Sequence, residues 1–359
     1  MIAMVLAPLM WVAVIGRAWR WWWSRSWVLG STTVALAVVA AHLTVSIPVV
    51  ETGLRAVAPV PNFSIGLRMV VYNLIAATSG VLALAVTSDP ERVRRGARIL
   101  GVVAVLASVA AVAIFLGSPP IPQAAGGFEF DRAYGHLPGY AEAGIAAAVF
   151  PALLCPALMV ITARGADVRS VTGWSLTLLS AGMAAATVWA WLRLLYFVAV
   201  RYFDATPTPT VFDVTRGVSA IGVLVIFVGM MLSPVLSWVR AKRVLWAIAP
   251  MHRELVSRWP GVQRPSRRGA GADERAEDRI TELLDALSME AENKVPATGD
   301  TAPASEVAAA VSAWLLHGRQ APALNAAGIR SAALDAGMDR GWALLLAREY
   351  RDGQRRIAV

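Results

Sequence analysis

Four side chains inside long apolar segments have the types that could do chemistry: His42, Asn73, Glu142 and Arg193. Imidazole, carboxylate and guanidinium groups can transfer protons or hold ions, and ionisable groups at membrane depth are costly, so each is a candidate for a functional site. No two of the four lie at a spacing typical of a metal site or a catalytic pair. We therefore predict no metal, no cofactor and no enzymatic activity.

Each candidate also has a structural interpretation. A histidine at the position of His42 more often forms a hydrogen bond between helices than acts as a ligand. Asn73 is typical of the amides that join helices in bundles. Glu142 opens its apolar segment. Arg193 lies about 10 Å from the end of its segment, which leaves two alternatives: the guanidinium reaches the membrane interface, or it forms a buried pair with Glu142 or a bound anion.

The segments that carry these residues are too apolar for a water-soluble core. The chain is 57% hydrophobic and 16% charged, against about 45–50% and about 25% in soluble domains. Each segment is long enough to cross a hydrocarbon core of about 30 Å, where a helix satisfies its own backbone hydrogen bonds. The predicted fold class is therefore all-α, a polytopic membrane bundle of seven transmembrane helices. The segments are Ile2–Ala18, Trp27–Val50, Ile65–Thr87, Ile99–Gly117, Ala141–Ala163, Val171–Val200 and Gly217–Val239.

Basic residues set the predicted orientation. They are concentrated at alternate connections, and Gly217–Val239 is followed at once by Arg240, Lys242 and Arg243. Because cytoplasmic connections carry an excess of Lys and Arg, we place the N-terminus outside the cell membrane and the C-terminus in the cytoplasm. The net charge of +9 is scattered over segment ends, which predicts the lipid bilayer as partner and not nucleic acid. The tryptophan- and arginine-rich stretch 17–27 is typical of an interfacial anchor.

The region after the last segment has a different character. We predict a transmembrane domain at 1–243 and a small cytosolic α-helical domain at 244–359, with linkers near 261–272 and 296–304. Apolar residues recur at helical spacing in Asp273–Glu292, in Glu306–Leu316 and within Ser331–Arg351. These helices either form a small domain or dock onto a cytosolic protein partner through 273–351.

Four stretches carry a resemblance to a known family: PNFS at 61–64, LW at 245–246, WP at 259–260 and RAEDRITELLDAL at 275–287. With these residues the chain resembles a family of actinobacterial seven-helix membrane proteins described as transporters. The resemblance implies a seven-helix membrane region followed by a C-terminal cytosolic domain of unknown function.

Two functional hypotheses follow. In the first, the protein is a membrane sensor or adaptor, in which the bundle responds to a ligand or to the membrane and the cytosolic helices signal to a partner. In the alternative, it is a small-solute transporter or permease. The absence of an evident inverted repeat and the odd number of segments favour the first.

The single cysteine, Cys155, excludes an intramolecular disulfide.

Overall fold

The computed structural model describes residues 2–58, 60–119, 121–122, 127–205, 208–265, 270–292, 303–317 and 339–357. These residues form helices and no strands, so the predicted all-α fold class is confirmed. Seven helices in this part of the chain are long and apolar enough to cross a membrane. The protein is therefore a multi-pass helical membrane protein with further helices after the last span.

Most of the helices up to Arg258 are long spans, and only some of the connections between them contain a short helix. Two short helices, α3 and α6, lie in connections between spans, and a 3-10 turn at Pro260–Val262 follows the last span. The helices are α1 (Ile2–Ser24), α2 (Trp27–Val45), α3 (Pro48–Val57), α4 (Phe63–Thr87), α5 (Pro90–Leu116), α6 (Gly127–Tyr134), α7 (Tyr140–Arg164), α8 (Val171–Tyr202), α9 (Pro209–Arg258), α10 (Ala272–Glu292), α11 (Ala304–His317) and α12 (Asp339–Ile357).

Several helix ends differ from the ends of the apolar segments, and two of these differences have a clear physical cause. The segment predicted at Trp27–Val50 is divided, because Pro48 cannot donate to a continuing helix and instead opens α3. The segment predicted at Gly217–Val239 lies within α9, a helix of 50 residues. Hydropathy locates the membrane core of such a helix but not its ends, since a helix continues wherever its later residues pack on other helices.

The chain divides into two compact units, Met1–Ser233 and Pro234–Val359, whereas the sequence placed the domain boundary at 243. In the first unit α1 packs on α2, α2 on α4, α4 on α5 and α7, and α7 on α5 and α8. The first part of α9 belongs to the same bundle, because Val223 and Phe227 pack against the core that α1 and α2 form.

The connections that hold α3 and α6 meet at one end of the bundle. Asn62 donates hydrogen bonds from its amide to the carbonyl oxygens of Ile121 (3.0 Å) and Pro122 (3.3 Å). Its φ of 57° lies in the left-handed region, which Asn adopts more readily than most residues. We call the end formed by these two connections and the adjoining helix ends the capped end.

In the second unit, the later part of α9 shares one apolar core with α10, α11 and α12. The largest side chains enclosed in this core include Ile248, Leu255, Leu283 and Trp342. The amphipathic stretches predicted at 273–292 and 306–316 coincide with α10 and α11, and their apolar faces are buried. Of the third predicted stretch, 331–338 lies outside the described residues, as do 266–269 and 296–302 of the two predicted linkers.

Close packing of α8 on α9 gives a first prediction. A Cβ at Gly182 would lie 2.4 Å from Cγ1 and 3.1 Å from the backbone nitrogen of Ile226. Gly182→Ala is therefore expected to force α8 and α9 apart and to destabilise the bundle by about 1–3 kcal/mol. The measurement is thermal unfolding of the purified protein in detergent.

Gly101→Ala is the matched control for this prediction. Gly101 lies within α5, and a Cβ there would meet nothing within 4 Å. We expect this change to leave the unfolding temperature unchanged or raised, because alanine favours a helix more than glycine does. Equal destabilisation by the two substitutions would contradict the close approach at Gly182.

Candidate functional site

A buried ion pair lies at the centre of the capped end. Arg193, from α8, donates from Nη1 to Oδ2 of Asp131 at 2.7 Å and from Nη2 to Oδ1 at 3.2 Å. The two side chains are 12% and 3% exposed. Paired hydrogen bonds between a guanidinium and a carboxylate are among the strongest polar contacts in proteins, so this pair fixes α6 on the bundle.

Aromatic residues enclose the pair. The hydroxyl of Tyr140 donates to Oδ1 of Asp131, and the hydroxyl of Tyr196 donates to its backbone oxygen at 2.9 Å. The guanidinium carbon of Arg193 lies 5.5 Å from the ring centre of Tyr72, in α4, where the negative face of the ring attracts the cation. Residues of α4, α6, α7 and α8 thus meet around one charge pair.

Arg193 does not pair with Glu142, which was one of the alternatives that the sequence left open. Glu142 instead accepts a hydrogen bond from Nε of Arg201 at 2.7 Å and one from the backbone N–H of Gly139 at 2.6 Å. The physical reason is that Glu142 lies in the first turn of α7, where its carboxylate turns back to cap the helix. The true partner, Asp131, is carried to Arg193 by α6, a helix that no pattern in the sequence indicated.

A second ion pair fixes the other short helix. Glu51, in α3, is buried and accepts hydrogen bonds from Arg55 (2.9 Å) in the same helix and from Arg68 (3.2 Å) in α4. One acidic group in each of α3, α6 and the start of α7 is therefore held by an arginine. Fixed charge at this end of the bundle holds the connections in place.

The remaining two candidates lie deeper in the bundle. Asn73 is fully buried and donates from its amide to the hydroxyl of Ser108 at 3.3 Å, a contact that joins α4 to α5. His42 lies with its ring centre 5.4 Å from that of Tyr72. Its Nδ1 is buried and has no hydrogen-bond partner among the described residues, so the interhelical hydrogen bond expected from the sequence is not formed by that atom.

His42 lines a cavity inside the bundle. The cavity has a volume of about 80 Å³, lies between α2, α4, α7, α8 and α9, and has Tyr72 and Trp189 beside His42. A second cavity of about 50 Å³ shares Ser79 and Met183 with the first and follows α4 as far as Thr87. Most of the lining is apolar. In the described part of the chain, no group of three His, Cys, Asp or Glu is placed to hold a metal ion.

Another polar contact lies where α9 passes from the first unit to the second. Pro234 has no backbone N–H, so the carbonyl of Met230, four residues earlier, lacks its usual helical donor. Nη2 of Arg17, in α1, donates to this carbonyl at 2.9 Å. The side chain that the sequence assigned to an interfacial anchor therefore satisfies the carbonyl that the proline frees.

The second unit has a buried polar cluster of its own. Glu282 accepts hydrogen bonds from the backbone N–H of Arg264 (2.8 Å) and from Nη1 of Arg279 (3.0 Å), and its Oε2 lies 2.7 Å from Nε2 of His252. Burial by itself raises the pKa of the Glu282 carboxyl. The hydrogen bonds from Arg264 and His252 and the charge of Arg279 outweigh burial, and the pKa is held below its ordinary value.

No protein family, curated protein or solved structure matches this chain. The resemblance to the actinobacterial family stays a prediction.

The ion pair at the capped end gives a second prediction. Arg193→Met leaves the buried Asp131 carboxylate without its cation, and removal of one partner of a buried pair costs about 3–5 kcal/mol. We expect a lower unfolding temperature and faster hydrogen exchange in α6. The control is Arg201→Met at the same end, where solvent screens the pair with Glu142, and a much smaller effect is expected. Equal effects of the two substitutions would contradict the assigned role of Arg193.

The cluster around Glu282 gives a third prediction, on pH. Because the folded-state pKa is lowered, the stabilisation is fully present above the unfolded-chain pKa of about 4.3 and is lost as the pH falls through the folded-state pKa. Glu282→Gln should therefore destabilise the second unit by a constant amount near neutral pH. The difference from the wild type should shrink below about pH 4.3. Hydrogen exchange of α10 against pH measures both, and a difference that stays constant into strong acid would contradict the assignment.

Proposed function

We propose that this protein is a membrane sensor or adaptor, in which a change inside the bundle is passed to a cytosolic partner through the second unit. One observation carries the proposal. Helix α9 lines the intramembrane cavity with residues from Val218 to Ile226, and its later residues from Ala241 to Leu255 belong to the core of the second unit. A displacement of the helix at the cavity therefore has a covalent route to the second unit.

Pro234 lies between these two stretches of α9 and supplies a point of bending. Prolines inside helices are the commonest cause of kinks, because one hydrogen bond is missing and the ring crowds the preceding turn. The contact between Arg17 and the Met230 carbonyl restrains this point in one geometry. A ligand that separates α1 from α9 would break this hydrogen bond. The difference between its affinities for the bonded and the unbonded geometry would set the fraction of molecules in each.

The distribution of charge supports sensing over transport. Asp131, Glu51 and Glu142 each have an arginine partner within the capped end. A binding site for a charged or strongly polar solute needs unpaired polar groups that can replace the water bound to the solute. These three carboxylates are instead paired with arginines and fix the connecting segments to the bundle. The cavity itself is mostly apolar, which suits a molecule that arrives from the lipid.

The proposed topology follows from the basic residues. With Arg240, Lys242 and Arg243 on the cytoplasmic side, the capped end faces outward and the second unit lies in the cytoplasm. A reporter that is active only in the cytoplasm, fused after Val359, is expected to be active. Activity of a reporter that works only outside the membrane would reverse the topology and remove the second unit from its proposed partners.

Transport remains the alternative, and one feature favours it. Helix α7 contains Pro151 and Pro156, and Pro151 lines the cavity; helices interrupted in this way form the binding sites of many transporters. The test is solute flux in vesicles reconstituted with the purified protein. Flux that is present in the wild type and lost in Ala186→Phe, which places a ring in the cavity, would favour transport over sensing.

The direct test of the sensor proposal is capture of a partner in native membranes. The intact protein is cross-linked, purified through a tag on its N-terminus and compared with a chain that ends at Arg258, which keeps all of α9. We expect a specific soluble protein that is recovered only with the intact chain. Recovery of the same proteins from both chains would overturn the proposal.

The restraint at Pro234 gives a fourth prediction. Arg17→Leu should leave the Met230 carbonyl unpaired and speed hydrogen exchange in residues 231–238 by about tenfold to a hundredfold, the equivalent of a charge-assisted hydrogen bond of about 1.5–3 kcal/mol. In Pro234→Ala the new backbone N–H can bond that carbonyl, so Arg17→Leu should then have little further effect.

Arg20→Leu is the control for this pair of changes, since Arg20 is an exposed arginine in the same helix. It should leave exchange in residues 231–238 unchanged with either residue at 234. Effects of Arg17→Leu that are equal in the two backgrounds would show that Arg17 acts independently of the proline.

A further inference from the structure

We propose that a groove in the second unit binds a molecule with a phosphate monoester group, held by the guanidinium groups of Arg253 and Arg279. The groove lies between the later part of α9, the turn that follows it and α10. It has a volume of about 640 Å³, and small-molecule sites typically measure about 300–1,000 Å³. The groove belongs to the second unit alone, so its occupancy does not depend on the proposed function.

One face of α9 forms the floor of the groove. The lining residues of this helix recur at helical spacing from Leu245 to Ser257, so they form a single stripe about 18 Å long. Leu245 and Ala249 lie at one end of the stripe, and every polar lining residue of α9 comes after Ala249. The groove therefore has an apolar half and a polar half, which suits an anionic group joined to an apolar body.

The polar half offers hydrogen-bond donors that have no acceptor in the described part of the chain. Arg253 makes one hydrogen bond there, from Nε to the Ala249 carbonyl at 3.4 Å, and both of its terminal nitrogens are unused. Arg279 uses only Nη1, which donates to Glu282 at 3.0 Å. Its Nε and Nη2, and the side-chain amide of Gln263, have no partner among the described residues.

Glu282 orients Arg279 without occupying the groove. Its carboxylate also accepts from the backbone N–H of Arg264 and lies 2.7 Å from Nε2 of His252. Because the Arg279 side chain is 42% exposed and that of Glu282 is 3% exposed, the guanidinium meets the groove and the carboxylate does not. With Arg253 these groups carry one net positive charge. A guanidinium that is already held in place loses less entropy when it binds an anion.

A phosphate monoester fits this set of donors. Its three terminal oxygens are strong acceptors on different sides of the phosphorus, and the donors come from α9, from the turn after it and from α10. Guanidinium groups bind phosphate through paired, charge-assisted hydrogen bonds. A planar carboxylate has only two oxygens for the three donor groups, and a neutral molecule would leave the charge of Arg253 uncompensated.

Two sources could supply the phosphate monoester: a soluble compound, or a lipid with this head group. Arg253 lies fourteen residues after Val239, where the last apolar segment ends, which is about 21 Å along the helix. A lipid would have to leave the bilayer to place its phosphate there, so the position favours a soluble compound.

The experiment uses the full chain in phosphatidylcholine nanodiscs and isothermal titration calorimetry with adenosine monophosphate (AMP), inorganic phosphate and adenosine. We expect AMP to bind about tenfold or more tightly than adenosine, because only AMP forms hydrogen bonds between charged groups. AMP should also bind more tightly than inorganic phosphate, since its base covers the apolar half. Equal binding of AMP and adenosine, or no binding of either phosphate probe, would overturn the proposal.

Substitutions of Arg253 test the polar half. Arg253 is exposed, so the fold should not depend on it. Arg253→Gln should weaken AMP binding about tenfold to a hundredfold. Arg253→Lys should restore part of the affinity, because the charge returns without the paired donors. The control is Arg348→Gln, which removes the same charge from an exposed position of α12 outside the groove and should change nothing. Equal weakening by Arg253→Gln and Arg348→Gln would show attraction by net charge alone and overturn the site.

Ala249→Trp tests the apolar half. The indole would fill the part of the groove that the base occupies, so AMP binding should weaken while binding of inorganic phosphate stays unchanged. AMP binding that is unaffected by this change would overturn the placement of the ligand along α9.

Nanodiscs of different composition distinguish the two sources. Phosphatidic acid carries a phosphate monoester, whereas phosphatidylglycerol, used at matched surface charge, carries a diester. Equal affinity for AMP in the two kinds of nanodisc would support a soluble ligand. Weaker binding of AMP with phosphatidic acid only would support a lipid ligand in the same phosphate site.

Discussion

Polar groups within the membrane region need partners in the protein, and the structure depends on how two of them meet this need. In a hydrocarbon environment there is no water to bond a charge or a freed carbonyl. Arg193 meets this need with Asp131, and the Met230 carbonyl meets it with Arg17. Each contact joins parts of the chain that are far apart in sequence, so satisfying one polar group also fixes the position of a helix.

The two contacts have different consequences. The pair of Arg193 and Asp131 has two hydrogen bonds and is enclosed by aromatic rings. It fixes the connection between α5 and α7, which is not itself a membrane span. The contact of Arg17 is a single hydrogen bond to the Met230 carbonyl, which is free to accept it because Pro234 has no backbone N–H. A single charge-assisted bond of about 1.5–3 kcal/mol is within the range that the differential affinity of a ligand can offset, whereas loss of one partner of a buried ion pair costs about 3–5 kcal/mol. The first contact suits a structural role and the second suits a switch.

Much of the fold could be predicted, because its strongest signals are local. Seven apolar segments are sufficient for seven spans, and the helical periodicity of Asp273–Glu292 identified α10. The length of α9 was missed, although Ala241, Val244 and Ile248 recur at helical spacing beyond the last predicted segment, Gly217–Val239. That spacing was a readable signal, and it marked the face of α9 that is buried in the second unit.

The sequence predicted which residues belong to the candidate site but not which partners they contact. His42, Asn73 and Arg193 were found because a polar residue in an apolar segment is a local observation. The partner of Arg193 could not be found in this way, because it depends on α6 folding back over the bundle. The vacant hydrogen bond of His42 and the role of Arg17 are likewise properties of packing: the first depends on five helices, and the second on a proline more than two hundred residues away.

The distance between two spin labels on α9, one on each side of Pro234, reports whether the helix bends at this proline. The exposed residues Ile221 and Trp246 are replaced by labelled cysteines in a chain in which Cys155 is replaced by serine. We expect Arg17→Leu to shift or broaden the distance distribution, and we expect Pro234→Ala, added to it, to restore a single narrow distribution. Identical distributions in all three chains would contradict the claim that this point of α9 links the bundle to the second unit.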